Sequence, residues 1–114
     1  MNILLVEDDP AIIELIAMII TGEGHTVTTA IRGADALQLF QSQRYDLVIT
    51  DFNMPGMNGL ILAEKIKALT PSQKILLLSG EMANASPNVD NVVFKPIAFG
   101  TLIQVVSQMS PVEP

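Results

Sequence analysis

The chain has 114 residues, of which 49% are hydrophobic, and it carries six basic against twelve acidic side chains. This length predicts a single domain over residues 1–114, with a frayed tail over 109–114. The acidic balance argues against nucleic acid as a direct partner of these residues. The absence of cysteine excludes disulfides and thiolate metal sites and favours a cytoplasmic location. The apolar runs predict neither a signal peptide nor a membrane span.

In chain order, short apolar runs of strand length alternate with amphipathic runs of helix length. The predicted strands are 3–6, 27–30, 47–49, 75–78 and 92–94, and the predicted helices are 10–21, 34–43, 60–69 and 99–109. This alternation predicts an α/β fold with a parallel sheet and helices on both of its faces. Residues 81–91 are rich in Asn, Ser and Pro, which leaves room for one helical turn at most. The helix between the fourth and fifth strands is therefore predicted to be shortened.

Polar side chains follow four of the predicted strands at the point where each strand ends. Glu7 and Asp8 follow the first strand, Asp51 the third, Ser79 the fourth and Lys95 the fifth. Because the carboxyl ends of parallel strands meet at one edge of the sheet, we expect these groups to lie together. Clustered carboxylates without His or Cys favour Mg²⁺. A lysine and a hydroxyl beside such a metal suit a phosphoryl group, with Asp51 as the nucleophile that forms an aspartyl phosphate.

Four stretches resemble the receiver domains of two-component response regulators. They are I-L-L-V-E-D-D-P, D-F-N-M-P-G-M-N-G, L-L-S-G and F-K-P, and the resemblance covers essentially the whole chain in the same order. It implies a doubly wound, flavodoxin-like sheet of five parallel strands in the order 2-1-3-4-5. It also implies phosphorelay signalling, in which Asp51 takes a phosphoryl group from a phosphohistidine and a partner-binding surface switches. Such a protein is not an enzyme in the usual sense, because it catalyses only its own phosphorylation and dephosphorylation.

The resemblance implies a role for each residue at the strand ends. Asp8 would bind Mg²⁺ directly, Glu7 would act largely through water, and Asp51 and the backbone carbonyl of Asn53 would complete the ligands. Ser79 and Lys95 would each contact an oxygen of the phosphoryl group. The donor would be a sensor histidine kinase or a histidine phosphotransfer protein.

Other positions in the resemblance concern tuning and signalling. The side chains of Asn53 and Glu81 would control how water reaches the phosphoryl group, and we expect a short-lived modification. The peptide bond before Pro96 is expected to be cis. The chain departs from the family at Val92, where an aromatic residue is usual. Residues 97–110 carry no charge, so a homodimer through the last helix would depend on apolar packing.

Asp9 and the first helix each have two interpretations, whereas the charged residues of the third helix have one. Asp9 could be a third acidic metal ligand, but its place before Pro10 favours a helix N-cap. The first helix has more apolar residues than a single core-facing stripe needs, and the excess fits either core packing or docking of a partner helix. Lys67 is predicted to be an ordinary solvated residue, as are its neighbours Glu64 and Lys65.

Three classes of function remain open at this point. The first is the phosphorylatable switch. The second is a Mg²⁺-dependent phosphohydrolase for small molecules, although D-x-D after the first strand is absent and no substrate cap would fit. The third is an interaction module that has lost phosphorylation, although the acceptor, the acidic pair and the lysine are all retained.

Overall fold

The computed structural model describes residues 1–80 and 86–110. These residues form a five-stranded parallel sheet with helices on both faces. The elements are β1 Asn2–Val6, α1 Pro10–Thr21, β2 Thr26–Ala30, α2 Gly33–Ser42, β3 Leu47–Asp51, α3 Gly59–Leu69, β4 Ile75–Ser79, β5 Asn91–Phe94 and α4 Phe99–Gln108. The strand order is β2-β1-β3-β4-β5, and every neighbouring pair is parallel. The predicted fold is confirmed, and the predicted ends of these elements differ from the observed ones by two residues at most.

Two apolar clusters lie on opposite faces of the sheet, because successive side chains of a strand point to opposite sides. On one face, α1 and α4 cover a cluster that includes Ile3, Leu5 and Ile49. On the other face, α2 and α3 cover a cluster that includes Leu4 and Val48. Every residue of β3 and β4 is buried. The polar residues that end these two strands are therefore held by a rigid, fully packed backbone.

The start of α1 is fixed by its first residues. The side chain of Asp9 accepts hydrogen bonds from the backbone N–H groups of Ala11 at 2.9 Å and Ile12 at 3.3 Å. Pro10 is the first helical residue, where it lacks only an N–H that the helix does not use. The interpretation of Asp9 as an N-cap is confirmed.

The outer side of α1 is apolar as well as its inner side. Its residues Ile13 and Ile16 are buried in the core, whereas Ile12, Leu15 and Met18 are 39%, 41% and 63% exposed. Core packing therefore accounts for one side of the helix only.

No helix among the described residues has the length and hydropathy needed to cross a membrane.

The crossover from β4 to β5 is described only in part. Its described part, residue 80 and residues 86–90, contains a turn at Pro87 and Asn88 and no helical turn. Val89 packs against the cluster on the α2 and α3 side, and the Asp90 N–H donates to the carbonyl of Ile75 at 2.9 Å. Residues 86–90 thus agree with the prediction of a shortened fourth helix, and residues 81–85 lie outside the described residues.

The last helix ends one residue earlier than predicted. Gln108 is its final residue, and the N–H of Met109 donates to the Val105 carbonyl at 3.1 Å. Residues 111–114 lie outside the described residues, so the frayed tail stays a prediction, as does the assignment of residues 1–114 to one domain.

Candidate functional site

Three carboxylates meet at the carboxyl edge of the sheet. Strands β1 and β3 are neighbours with Val6 opposite Thr50, so the residues that follow them lie side by side. One carboxylate oxygen from each of Glu7, Asp8 and Asp51 lies within 4.8 Å of the other two. Glu7 and Asp51 are each only 2% exposed. The structure thus brings together the acidic groups that the strand ends predict.

Lys95 reaches this cluster from the other side of the site. Its Nζ lies 2.5 Å from Asp51 Oδ1, and its side chain is 31% exposed, against 3% for that of Asp51. The Lys95 N–H donates to the carbonyl of Ser79 at 2.8 Å, which continues the pairing of β5 with β4. The peptide bond between Lys95 and Pro96 is cis, as the resemblance implies. The ammonium compensates one of the two buried carboxylates.

The second buried carboxylate, Glu7, is not fully compensated. Burial and the neighbouring charge of Asp51 raise the pKa of Glu7 from 4.5 to about 7, against the opposing effects of the Asp9 N–H and the Lys95 ammonium. Its Oε1 accepts the Asp9 N–H at 3.3 Å, whereas its Oε2 is buried and has no hydrogen-bond partner among the described residues. A buried acceptor without a donor is costly. The site is therefore suited to a ligand that brings positive charge.

The charges of the site fit a divalent cation. When Glu7 is ionised, three carboxylates and one ammonium leave two negative charges uncompensated in a pocket that is closed on its Glu7 and Asp51 side. Oxygen ligands of this kind suit Mg²⁺. Glu7, Asp8 and Asp51 are the side chains that could hold it.

Four other residues that the sequence analysis singled out do not belong to the carboxylate cluster itself. Ser79 ends β4, is 1% exposed, and lies next to Leu78, the residue that pairs with Asp51. Asn53 is exposed in the loop after β3. Val92 is half-buried in β5 opposite Leu77. Glu81 lies outside the described residues.

The sequence did not predict an ion pair that the structure contains away from this site, between Lys67 and Asp90. Lys67 Nζ lies 3.0 Å from Asp90 Oδ2, so its prediction as an ordinary solvated residue is wrong. The same oxygen accepts the backbone N–H of Ile75 at 2.8 Å. No spacing rule could have found the pair, because its members are 23 residues apart and meet only through the β4–β5 crossover.

Residues 3–107 match the family model of the response regulator receiver domain. The chain belongs to this family. Receiver domains are the phosphorelay input modules of two-component response regulators, so the fold and the strand-end cluster described above now have a family assignment. Receiver domains of response regulators are generally not classical enzymes, and self-catalysed phosphorylation of this chain stays a prediction.

Relatives of this receiver domain include two curated bacterial regulators. The chain is 32% identical over 111 residues to the transcriptional regulatory protein GlrR of Escherichia coli, covering 92% of this chain and 25% of GlrR. It is 30% identical over 108 residues to the probable transcriptional regulatory protein TcrX of Mycobacterium tuberculosis, covering 90% of this chain and 46% of TcrX. The receiver domain thus spans a quarter to about half of these relatives. Since they are named transcriptional regulators, the comparisons do not support the predicted exclusion of nucleic acid.

Solved structures of receiver proteins are also similar. The response regulator TrrA of Thermotoga maritima, in complex with Mg²⁺ and a beryllium fluoride, shares 37% identity with a TM-score of 0.88 and covers 95% of this chain and 97% of TrrA. A complex of the histidine kinase ThkA with TrrA gives 36% identity and a TM-score of 0.86 over 95% of this chain and 97% of the matched one. The metal in TrrA and the acidic cluster in this receiver domain are consistent with one another.

Proposed function

We propose that this receiver domain accepts a phosphoryl group on Asp51 and that Lys95, Ser79 and Mg²⁺ ligands around it support the transfer. The observation that carries the proposal is the Asp51 carboxylate itself, which is buried, lies 2.5 Å from the Lys95 ammonium, and shares its pocket with Glu7 and Asp8. A nucleophile needs this combination of restricted motion and nearby positive charge, because phosphoryl transfer depends mainly on positioning and charge neutralisation.

The transfer step balances as a simple displacement. A carboxylate oxygen of Asp51 forms a bond to phosphorus while the phosphorus–nitrogen bond of the donor phosphohistidine breaks. The leaving imidazole keeps the electron pair of that bond and takes up a proton. Lys95 stabilises the added negative charge, and the Ser79 hydroxyl would hydrogen-bond to a phosphoryl oxygen. Asp8, Asp51 and the carbonyl of Asn53 would hold Mg²⁺ directly and Glu7 largely through water, and the ion would add to the neutralisation of the phosphoryl oxygens.

Loss of the phosphoryl group is the second self-catalysed step that we propose. Water attacks the phosphorus and the Asp51 carboxylate leaves, which restores the starting side chain. The polar side chains of Asn53 and Glu81 are proposed to admit that water, so the modification should be short-lived. Loss of label from the purified phosphoprotein measures the lifetime, and a lifetime of many hours would contradict the proposed tuning.

A sensor histidine kinase or a histidine phosphotransfer protein is the proposed donor. The complex of ThkA with the similar protein TrrA supports a kinase partner. The exposed apolar side chains of Ile12, Leu15 and Met18 give α1 a face on which a partner helix could dock. A cytoplasmic location fits such a donor. The homodimer through the uncharged α4 stays a prediction.

Phosphorylation by a small donor tests the proposed acceptor. The purified protein is incubated with acetyl phosphate, with Mg²⁺ or with a chelator, and the added phosphate is located by mass spectrometry of peptides. We expect one phosphoryl group on Asp51, dependent on Mg²⁺ and absent from Asp51→Asn. The matched control Asp90→Asn removes the aspartate of the other Lys–Asp ion pair and should be phosphorylated like the wild type. Phosphate on another residue, or equal incorporation in Asp51→Asn, would refute the assignment.

A further inference from the structure

The loop that follows Asp51 returns to the end of β3, where Gly59 is hydrogen-bonded to Phe52. The Phe52 N–H donates to the Leu78 carbonyl at 2.9 Å, which extends the pairing of β3 with β4 by one step. The Gly59 N–H then donates to the Phe52 carbonyl, also at 2.9 Å. Gly59 is buried and is the first residue of α3. The helix therefore begins in contact with the end of the strand that carries Asp51.

The space at Gly59 is closed mainly by the backbone of Asp51. A Cβ atom built on Gly59 would overlap the Asp51 carbonyl oxygen and would lie 3.0 Å from the Asp51 carbonyl carbon and 2.9 Å from Leu77 Cδ1. A leucine side chain can turn away, but a strand backbone in the middle of a packed sheet cannot move without its neighbours. Only a hydrogen atom fits between Gly59 and Asp51 in the present geometry.

The Asp51 carbonyl is also held from within the strand. Its oxygen accepts a hydrogen bond from Thr50 Oγ1 at 3.0 Å. The carbonyl carbon is bonded directly to the Asp51 Cα atom, so a tilt of this peptide group turns the bond that leads to the carboxylate. The carboxylate must stay close both to Lys95 Nζ and to the oxygens of Glu7 and Asp8. A displacement of the peptide would therefore be transmitted to the site.

We infer that Gly59 is a positioning residue for the Asp51 carboxylate. Its missing side chain lets α3 start against the Asp51 carbonyl and so sets the carboxylate within reach of Lys95 and of the metal ligands. The inference rests on the proposed role of Asp51, but it makes a separate claim about a residue that contacts neither metal nor phosphoryl group.

Two other helix-starting glycines differ in this respect. Gly33 is the first residue of α2, and a Cβ there would meet the flexible Met57 side chain, with its Sδ at 2.8 Å. Gly100 is the second residue of α4, and a Cβ there would have no atom within 4 Å. Close contact with an immovable backbone is thus not a general property of glycine at a helix start in this chain.

The test compares Gly59→Ala with Gly100→Ala. Both substitutions replace a glycine by alanine in the first turn of a helix, so the gain in helix propensity is matched. The initial rate of phosphorylation by acetyl phosphate at saturating Mg²⁺ and the Mg²⁺ dissociation constant are measured well below the melting temperature of each variant. We expect a rate roughly 100-fold lower and Mg²⁺ binding about 10-fold weaker for Gly59→Ala, as for a misplaced reacting group. Gly100→Ala should match the wild type in both.

A double variant separates the two contacts at Gly59. Leu77→Val removes the Cδ1 atom that would meet the new Cβ but leaves the overlap with the Asp51 backbone. If Gly59→Ala with Leu77→Val regains the wild-type rate, the clash lay with Leu77 and the inference is wrong. Folded Gly59→Ala with an unchanged rate and unchanged Mg²⁺ binding would also overturn it.

Two further outcomes distinguish a failure of the Gly59 inference from a failure of the proposed phosphorylation of Asp51. If the wild type itself is not phosphorylated on Asp51, the proposed function fails, and the Mg²⁺ comparison alone then decides the role of Gly59. If neither alanine variant at position 59 folds while Gly100→Ala does, Gly59 is a requirement of the fold rather than of the acceptor, and the inference is rejected.

Discussion

Two lysine–aspartate ion pairs lie at opposite edges of the same sheet within the described part of the chain. Lys67 and Asp90 lie beside the start of β4, with side chains 15% and 27% exposed and an N···O distance of 3.0 Å. Lys95 and Asp51 lie at the other edge, where β3 ends, with a distance of 2.5 Å. The residue types are the same, but the surroundings of the two carboxylates are different.

The difference lies in what else each carboxylate contacts. Asp90 also accepts a backbone N–H, that of Ile75, so its neighbours are hydrogen-bond donors. Asp51 has further carboxylates as neighbours, and one of them, Glu7, has a buried oxygen with no donor among the described residues. The Asp90 pair joins α3 to the β4–β5 crossover and is complete by itself. The Asp51 cluster is incomplete and requires positive charge from a ligand.

Removing each lysine should give the largest contrast between the two pairs. Lys95→Met takes away the positive charge that faces the acceptor, and we expect phosphorylation by acetyl phosphate to slow by a factor of about 1,000, as when one stabilising donor is lost. Lys67→Met should change the rate by no more than about twofold. Initial rates measured at equal Mg²⁺ and donor concentrations check this. Similar slowing in both variants would show that the pairs are not functionally different.

The pKa of Glu7 predicts an unusual dependence of stability on pH. Because folding raises this pKa from 4.5 to about 7, the metal-free protein binds an extra proton between these values. The resulting stabilisation is fully present below pH 4.5 and is lost as the pH rises through 7, with an upper limit of roughly 3 kcal/mol. Urea unfolding without metal, from pH 5 to 8, should show this decline.

A substitution at Glu7 isolates the contribution of that residue to the pH profile. Glu7→Gln should flatten the decline, because the titrating group has been removed. Glu64→Gln, a change at an exposed position of α3, should leave the profile as in the wild type. A decline that persists unchanged in Glu7→Gln would mean that another group causes it.

Changes at Asp90 should affect stability and not phosphorylation. Asp90→Ala leaves the Ile75 N–H without its acceptor and Lys67 without its partner, and we expect a loss of about 1 to 2 kcal/mol in the free energy of unfolding. Asp90→Asn keeps an oxygen that can accept the N–H and should lose less. Both variants should be phosphorylated at the wild-type rate, which distinguishes a structural carboxylate from a functional one.

One side of this comparison, the cluster around Asp51, could be predicted from the sequence. Each strand-end residue of the cluster follows a short apolar run, and the parallel arrangement of such runs is enough to place Glu7, Asp51 and Lys95 at one edge. The cap at Asp9 could be predicted because it depends on residues two and three positions away. A cap of this kind can be predicted because it depends only on residues that are close in the sequence.

Two features could not be predicted because they depend on how distant or irregular segments meet. The Lys67–Asp90 pair forms across a crossover whose path is not set by hydrophobic periodicity. The close approach of Gly59 to the Asp51 carbonyl follows from the path of the intervening loop, and in the sequence the glycine indicates only a turn. The polarity of residues 81–91 predicted a shortened helix from composition alone, and the described residues 86–90 contain no helical turn.

Thermal unfolding with and without Mg²⁺ tests most directly whether the strand-end carboxylates form one metal pocket. A ligand bound only by the folded state must raise its stability. At pH 8, we predict that millimolar Mg²⁺ raises the Tm of the wild type and of Asp90→Asn by several degrees, and that the shift largely disappears in Asp51→Asn and in Glu7→Gln. No shift in the wild type, or an equal shift in all four proteins, would contradict the account.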